Sequence, residues 1–186
     1  VTNLVVGNFS AVVTFTNLDQ ASRVTRSATL LLGNGGFEGG DLAEWSLTGD
    51  ATKNLVTSVD NAFWLGATTV PGADDSRFVH AGIYGAILGQ SGFVATLSRT
   101  LRTVPGQLYR LSFWYVHPLA GNPNQFTVSW NGQTLFDQSN LPVVGWTRRQ
   151  FLVPATGTGT VLRFGSRDDP NAIGLDDVQV EAVPTP

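Results

Sequence analysis

Two carboxylates stand where they could do chemistry, and they lie far apart in the chain. Glu38 closes the run Gly33-Asn34-Gly35-Gly36-Phe37-Glu38, and Asp176 sits within Ile173-Gly174-Leu175-Asp176-Asp177-Val178-Gln179-Val180. Leu175, Val178 and Val180 cannot share one face of a regular strand, because Asp176 has the parity of the two valines. Either a bulge intervenes or Asp176 points inward. An inward carboxylate is costly unless it is paired or metal-bound. Calcium takes carboxylate and backbone carbonyl oxygens, and a glycine-rich turn leaves carbonyls free. The competing reading has Asp176 capping a turn by hydrogen bonds and Glu38 solvated. Asp74-Asp75 and Asp168-Asp169 read as turn residues.

A sugar site needs exposed aromatic faces beside amide and carboxylate groups. Trp64, Tyr84, Trp114 and Trp130 are the candidates, with Arg110, Asn124 and Gln125 near them in sequence. For any one of these aromatics, core or interface packing is the competing role. Catalysis finds little footing, and the chain is expected not to be an enzyme. His80 and His117 are far apart and adjoin no serine motif, and no nucleophile elbow, zinc-protease helix or phosphate loop occurs. A retaining glycosidase needs two carboxyls roughly 5 Å apart across a cleft, and nothing places the few glutamates so.

These residues need a scaffold, and the chain offers short strands between turns. Strand candidates fall near 55–59, 77–88, 93–103, 108–116, 125–130, 133–137, 147–153, 160–165 and 174–182. Asn131-Gly132 suits a two-residue hairpin turn with two positive φ angles, and Pro105-Gly106 marks another turn. The glycines of 33–36 would let the chain turn at positive φ. Helical periodicity is almost nowhere sustained. The expected fold is all-β, an antiparallel two-sheet sandwich over residues 33–186, preceded by an apolar arm over residues 1–32.

The arm reads as two strands, 4–16 and 22–32, with apolar side chains on both faces of the first. Such a strand needs cover on both sides, and a lone hairpin is marginal in water. We therefore expect Val5, Phe9, Val13 and Phe15 to dock in a groove of the adjacent subunit, giving a homopolymer; the arm folding back on its own sandwich is the alternative.

Composition narrows the function classes. The net charge is −3, only 13% of residues are charged, and cysteine is absent. Lys53 and ten arginines form no visible basic patch, so nucleic acid is not an expected partner. No thiolate metal site or thiol nucleophile can exist. No apolar run approaches a membrane span. The start at Val1 is read as that of a processed chain.

Asn34-Gly35-Gly36-Phe37-Glu38, Trp45 and the closing Leu175-Asp176-Asp177-Val178-Gln179-Val180 resemble the jelly-roll carbohydrate-binding modules of families 4, 9 and 22, of the galactose-binding-domain-like group. Thr103–Trp114 and the ending Val183-Pro184-Thr185-Pro186 are similar to such modules in bacterial exported PEP-CTERM-type proteins. The resemblance implies a jelly-roll fold, export to the cell surface or beyond, and a structural calcium where the first and last strands meet, with Glu38 and Asp176 as ligands. Combined with the arm, it leads us to expect a non-catalytic extracellular structural or adhesive subunit that polymerises. The alternative is a monomeric polysaccharide-binding module.

Overall fold

Period-two alternation is cleanest in Asn124–Trp130, where every second residue is buried. Successive strand side chains point to opposite faces, so this pattern buries one face and leaves the other to solvent. A computed structural model of the protein extends that logic to twelve strands. They are β1 Phe9–Asn17, β2 Ser22–Leu30, β3 Ser46–Thr48, β4 Asn54–Ser58, β5 Tyr84–Leu88, β6 Ala95–Arg102, β7 Leu108–His117, β8 Asn124–Trp130, β9 Gln133–Ser139, β10 Val144–Pro154, β11 Gly159–Asp168 and β12 Ile173–Ala182. The structure describes residues 9–17, 22–30, 33–59 and 78–184. Among the described residues there is no α-helix.

One sheet has five strands in the order β3-β6-β11-β8-β9; the other has seven and is centred on β12. β7 pairs along one edge of β12 and is itself paired with β10, while β5 and β2 share the opposite edge. All pairings are antiparallel. Between the sheets lies an aromatic core. Phe113 packs edge-on against Phe164 and Phe126 at 5.1 and 6.2 Å, and Tyr115 stacks on Phe126 at 5.4 Å. Tyr109, Leu111, Phe113 and Tyr115 of β7 all face this core, as their shared parity requires. Phe37 and Trp45 anchor the Gly33–Trp45 loop in it.

The turn residues behave as their chemistry dictates. Asn131 and Gly132 take φ of 48° and 84°, the two positive angles a type I′ hairpin needs. Gly106 takes 79° in the turn after Pro105. In the Gly33–Glu38 run the expectation is corrected: the positive angles fall on Asn34 (47°) and Phe37 (55°), not on the glycines. Asn tolerates this region because its short polar side chain bonds locally, and Asn34 Nδ2 donates to the carbonyls of Asp41 and Ala43. Another correction concerns 77–88: among its described residues, which begin at Phe78, only Tyr84–Leu88 is strand, and the chain bends at Gly82 (φ 79°) just before it.

The arm lies at one edge of the seven-stranded sheet. β1 and β2 form a hairpin in register from Phe9–Leu30 to Asn17–Ser22. β2 then meets β12 of the same chain, Leu30 opposite Glu181, so the hairpin is part of the seven-stranded sheet. Phe9, Val13 and Phe15 lie in β1; Val5 falls outside the described residues.

Candidate functional site

A bulge resolves the parity conflict in the last strand. The register of β12 against β7 shifts between Asp176 and Gln179, and Asp177 takes a positive φ of 49°. One extra residue on the bulged strand re-aims the side chains beyond it, so Leu175, Val178 and Val180 all enter the core. Asp176 goes to the opposite face yet is fully buried, because the chain at His80 and Ala81 covers it. Its Oδ2 accepts N–H bonds from His80 at 2.8 Å and Ala81 at 3.3 Å, and its Oδ1 accepts one from Asp177 at 2.7 Å. Burial outweighs these donors, and Asp177 adds a like charge, so the Asp176 carboxyl is pushed up to about 7.

Glu38 comes to the same place from the other end of the chain. Its carboxylate is exposed and accepts from the backbone N–H of Ile83, at 3.0 Å to Oε2. Gly36 sits between: a Cβ there would lie 3.8 Å from Glu38 Cγ, 3.9 Å from Asp176 Oδ1 and 3.6 Å from Asp177 Oδ1. Among the described residues no Arg or Lys pairs with Glu38 or Asp176, and the His80 imidazole lies 2.7 Å from Asp177 Oδ2. The donor chemistry thus suits a hard cation: carboxylates from both ends of the domain converge with a buried anion lacking a counter-charge. Among the described residues no three His, Cys, Asp or Glu side chains could hold an ion unaided, so backbone oxygens would have to complete the shell.

The candidate sugar platforms scatter. Trp130 is a core residue, 2% exposed, donating its indole N–H to the Pro154 carbonyl at 2.8 Å, so it offers no face to a ligand. Trp114 is half-buried, and His80 stacks on it at 3.9 Å with planes 17° apart. Trp146 meets the edge of the same imidazole and packs on a small second cluster of Phe78, Ile87, Val116 and Ala172. Tyr84 is half-buried against Gly40. Trp64 lies outside the described residues. Arg110 bonds Glu181, and Asn124 is buried, its side chain bonding the backbone of Gly121 and Leu141.

What sequence reasoning missed is a face rather than a residue. With Leu162, Phe164, Ser166 and Asp168 buried, β11 must turn Arg163 and Arg167 outward, while Gly165 of the same parity is covered by Thr127 and Val94. The register then builds two rows across the five-stranded sheet. One runs Ser46, Ser98, Arg163, Ser129; the other runs Thr48, Thr96, Gly165, Thr127, Asp137. Hydroxyls of Thr48 and Thr96 lie 2.8 Å apart, and Gln125 donates to Asp137 at 2.8 Å. At one end, Val94 sits over Gly165 and Phe93 beside it is 55% exposed. That loop is tied down by Gly92 N–H donating to Asp169, which also holds the Arg167 guanidinium at 2.6 Å. The signal available in sequence was the alternation of Ser and Thr with apolar residues in β6 and β8.

No protein-family model matches the sequence, and no curated protein matches it either. Solved structures match in fold. TmCBM61, solved in complex with beta-1,4-galactotriose, is similar over 81% of this chain and 97% of its own, at 22% identity and a TM-score of 0.57. The K3 cleaved adhesin domain of Lys-gingipain from Porphyromonas gingivalis W83 is similar over 83% and 98%, at 19% identity and 0.52. A xylan-binding domain of carbohydrate-binding family 22 is similar over 77% and 89%, at 15% identity and 0.50. The chain therefore has the jelly-roll sandwich fold found in carbohydrate-binding modules of the galactose-binding-like kind.

Proposed function

We propose that this protein is a non-catalytic, extracellular polysaccharide-binding module, and that the outward face of its five-stranded sheet takes the glycan. The observation that carries this reading is the double row of Ser and Thr side chains on β3, β6 and β8, flanking Arg163 of β11 and ending at the exposed ring of Phe93. Hydroxyls and amides match the hydrogen-bonding needs of sugar hydroxyls, and an aromatic ring takes the apolar face of a pyranose. The fold likeness to modules described as binding galactotriose and xylan points the same way. We favour this over a polymerising subunit because β2 pairs with β12 of its own chain.

A structural calcium fits the same reading. Glu38 and Asp176 would hold it with carbonyl oxygens of the Gly33–Glu38 turn, and it would neutralise the buried anion. Its place at the junction of the first loop and the last strand gives it no part in recognition.

Affinity electrophoresis against galactan, xylan and polygalacturonate tests the binding function. Retardation by at least one polymer is expected, weakened about two- to tenfold in Phe93→Ala, since an aromatic contact contributes roughly 0.5–1.5 kcal/mol. Unretarded migration in every gel contradicts it.

A further inference from the structure

We infer that the polysaccharide is anionic, and that Arg163 is the residue that selects it. This rests on the glycan-binding reading above and deepens it. The protein as a whole carries a net charge of −3, yet the outward face of the five-stranded sheet has the opposite local sign. Arg102, Arg163 and Arg167 project from it, against Asp137. The arginines differ in what holds them. Arg167 is neutralised by Asp169 at 2.6 Å. Arg163 is exposed and, among the described residues, forms no ion pair; Arg102 is the same.

Register places Arg163 at the centre of the face. It stands on the middle strand, directly opposite Ser98 on one side and Ser129 on the other. Small neighbours leave its guanidinium uncrowded, so its planar fork can meet a carboxylate or sulfate with two parallel hydrogen bonds. On the same face of β11, residues two apart lie roughly 7 Å from each other. Gly165, the next position of the same parity, is covered by the side chains of Thr127 and Val94, so Arg163 is the exposed cation on this stretch of β11. A chain of sugars crossing the serine and threonine rows would thus pass an unpaired positive charge in mid-face.

A protein partner suits this surface poorly. Interface hot spots are buried aromatic or apolar anchors, and among the described residues the large exposed apolar side chains near this face are Phe93 and Val94, at one end of it. The opposite sheet offers a contrast that serves as a control: its outward Arg110 is already bonded to Glu181 at 3.5 Å.

The test is affinity electrophoresis of the full chain in gels holding polygalacturonate (carboxylate), dextran sulfate (sulfate), or neutral galactan and xylan, with mobility referred to a polymer-free gel. Retardation is expected in at least one acidic gel, stronger than in the neutral gels and weakened by salt. Which acidic gel retards the protein names the anion. Arg163→Gln should weaken that binding about tenfold or more, as loss of a charged hydrogen-bond partner does, while Arg110→Gln should leave it unchanged. Three results would overturn the inference: binding to the neutral gels alone or equally, acidic binding that survives in Arg163→Gln, or acidic binding lost equally in Arg110→Gln. Neutral-only binding leaves the glycan-binding reading standing; no retardation in any gel removes both.

Discussion

His117 Nε2 lies 3.1 Å from Asp168 Oδ2, and both side chains are wholly buried. The other ring nitrogen, Nδ1, is 3.0 Å from the Pro142 carbonyl, which can only accept, so Nδ1 must carry a proton. Nε2 then either faces the carboxylate as a bare lone pair or is protonated as well. Burial opposes the charge, but Asp168 and the Pro142 carbonyl together outweigh it and raise the His117 pKa above its ordinary value. The alignment at Nε2 falls short of a hydrogen bond, so the attraction is mainly charge to charge. This pair fastens the end of β7 to the end of β11.

Removing His117 leaves a buried carboxylate with no counter-charge, which costs about 3–5 kcal/mol. His117→Ala should therefore lower the urea midpoint sharply at pH 6. A raised folded-state pKa contributes stability that is full below about 6.5 and lost as pH rises through the folded value. The penalty of the substitution should accordingly shrink at alkaline pH. A penalty independent of pH would show that the imidazole acts by packing alone.

Asp176 gives a second pH dependence of the same sign. Its carboxyl is pushed from 3.8 up to about 7, chiefly by burial, so its neutral form is favoured in the folded state. Its contribution is present below about pH 4 and lost as pH rises toward and through 7. In chelator, urea melts should show falling stability across that window, and Asp176→Asn should flatten it. Added calcium should remove the fall by favouring the anion, and should raise the midpoint in proportion to its occupancy. A midpoint at pH 7 that is the same in chelator and in millimolar calcium would remove calcium from the account.

Gly82 meets Glu38 at close quarters. It takes φ of 79°, and a Cβ there would run into the Glu38 carboxylate. Gly82→Ala combines a left-handed angle, about 1–2 kcal/mol, with loss of the Glu38 bond to Ile83 N–H. Thermal unfolding should drop by several degrees. An unchanged melt would mean that the 82–84 turn is held by something other than Glu38.

Much of the sandwich was legible because its strands alternate strictly. Phe126, Val128 and Trp130 against Gln125, Thr127 and Ser129 fixed which face of β8 is buried, and Asn131-Gly132 fixed the turn after it. Where legibility failed, the cause was tertiary. Trp130 looks like a platform in sequence, but its parity with Phe126 and Val128 sends it to the core. β3 is three residues long and, among the described residues, pairs with β6 alone, so no run announced it. The outward rows escaped notice because each Ser or Thr is ordinary alone; they become a surface only when register aligns β3, β6, β11 and β8. In β1, apolar residues on both faces called for cover; the strand beside it is β2, and through β2 it joins the sheet of its own chain.

The central claim is that the outward face of the five-stranded sheet binds a polysaccharide. Backbone amide shifts of the labelled full chain, followed while trigalacturonate or beta-1,4-galactotriose is added, test it most directly. The account predicts saturable shifts at Ser98, Thr127, Ser129 and Arg163, with the loop at Phe93 moving in step and the amides near Trp114 unmoved. Shifts confined to the Trp114 and His80 surface, or none with either sugar at millimolar concentration, would contradict it.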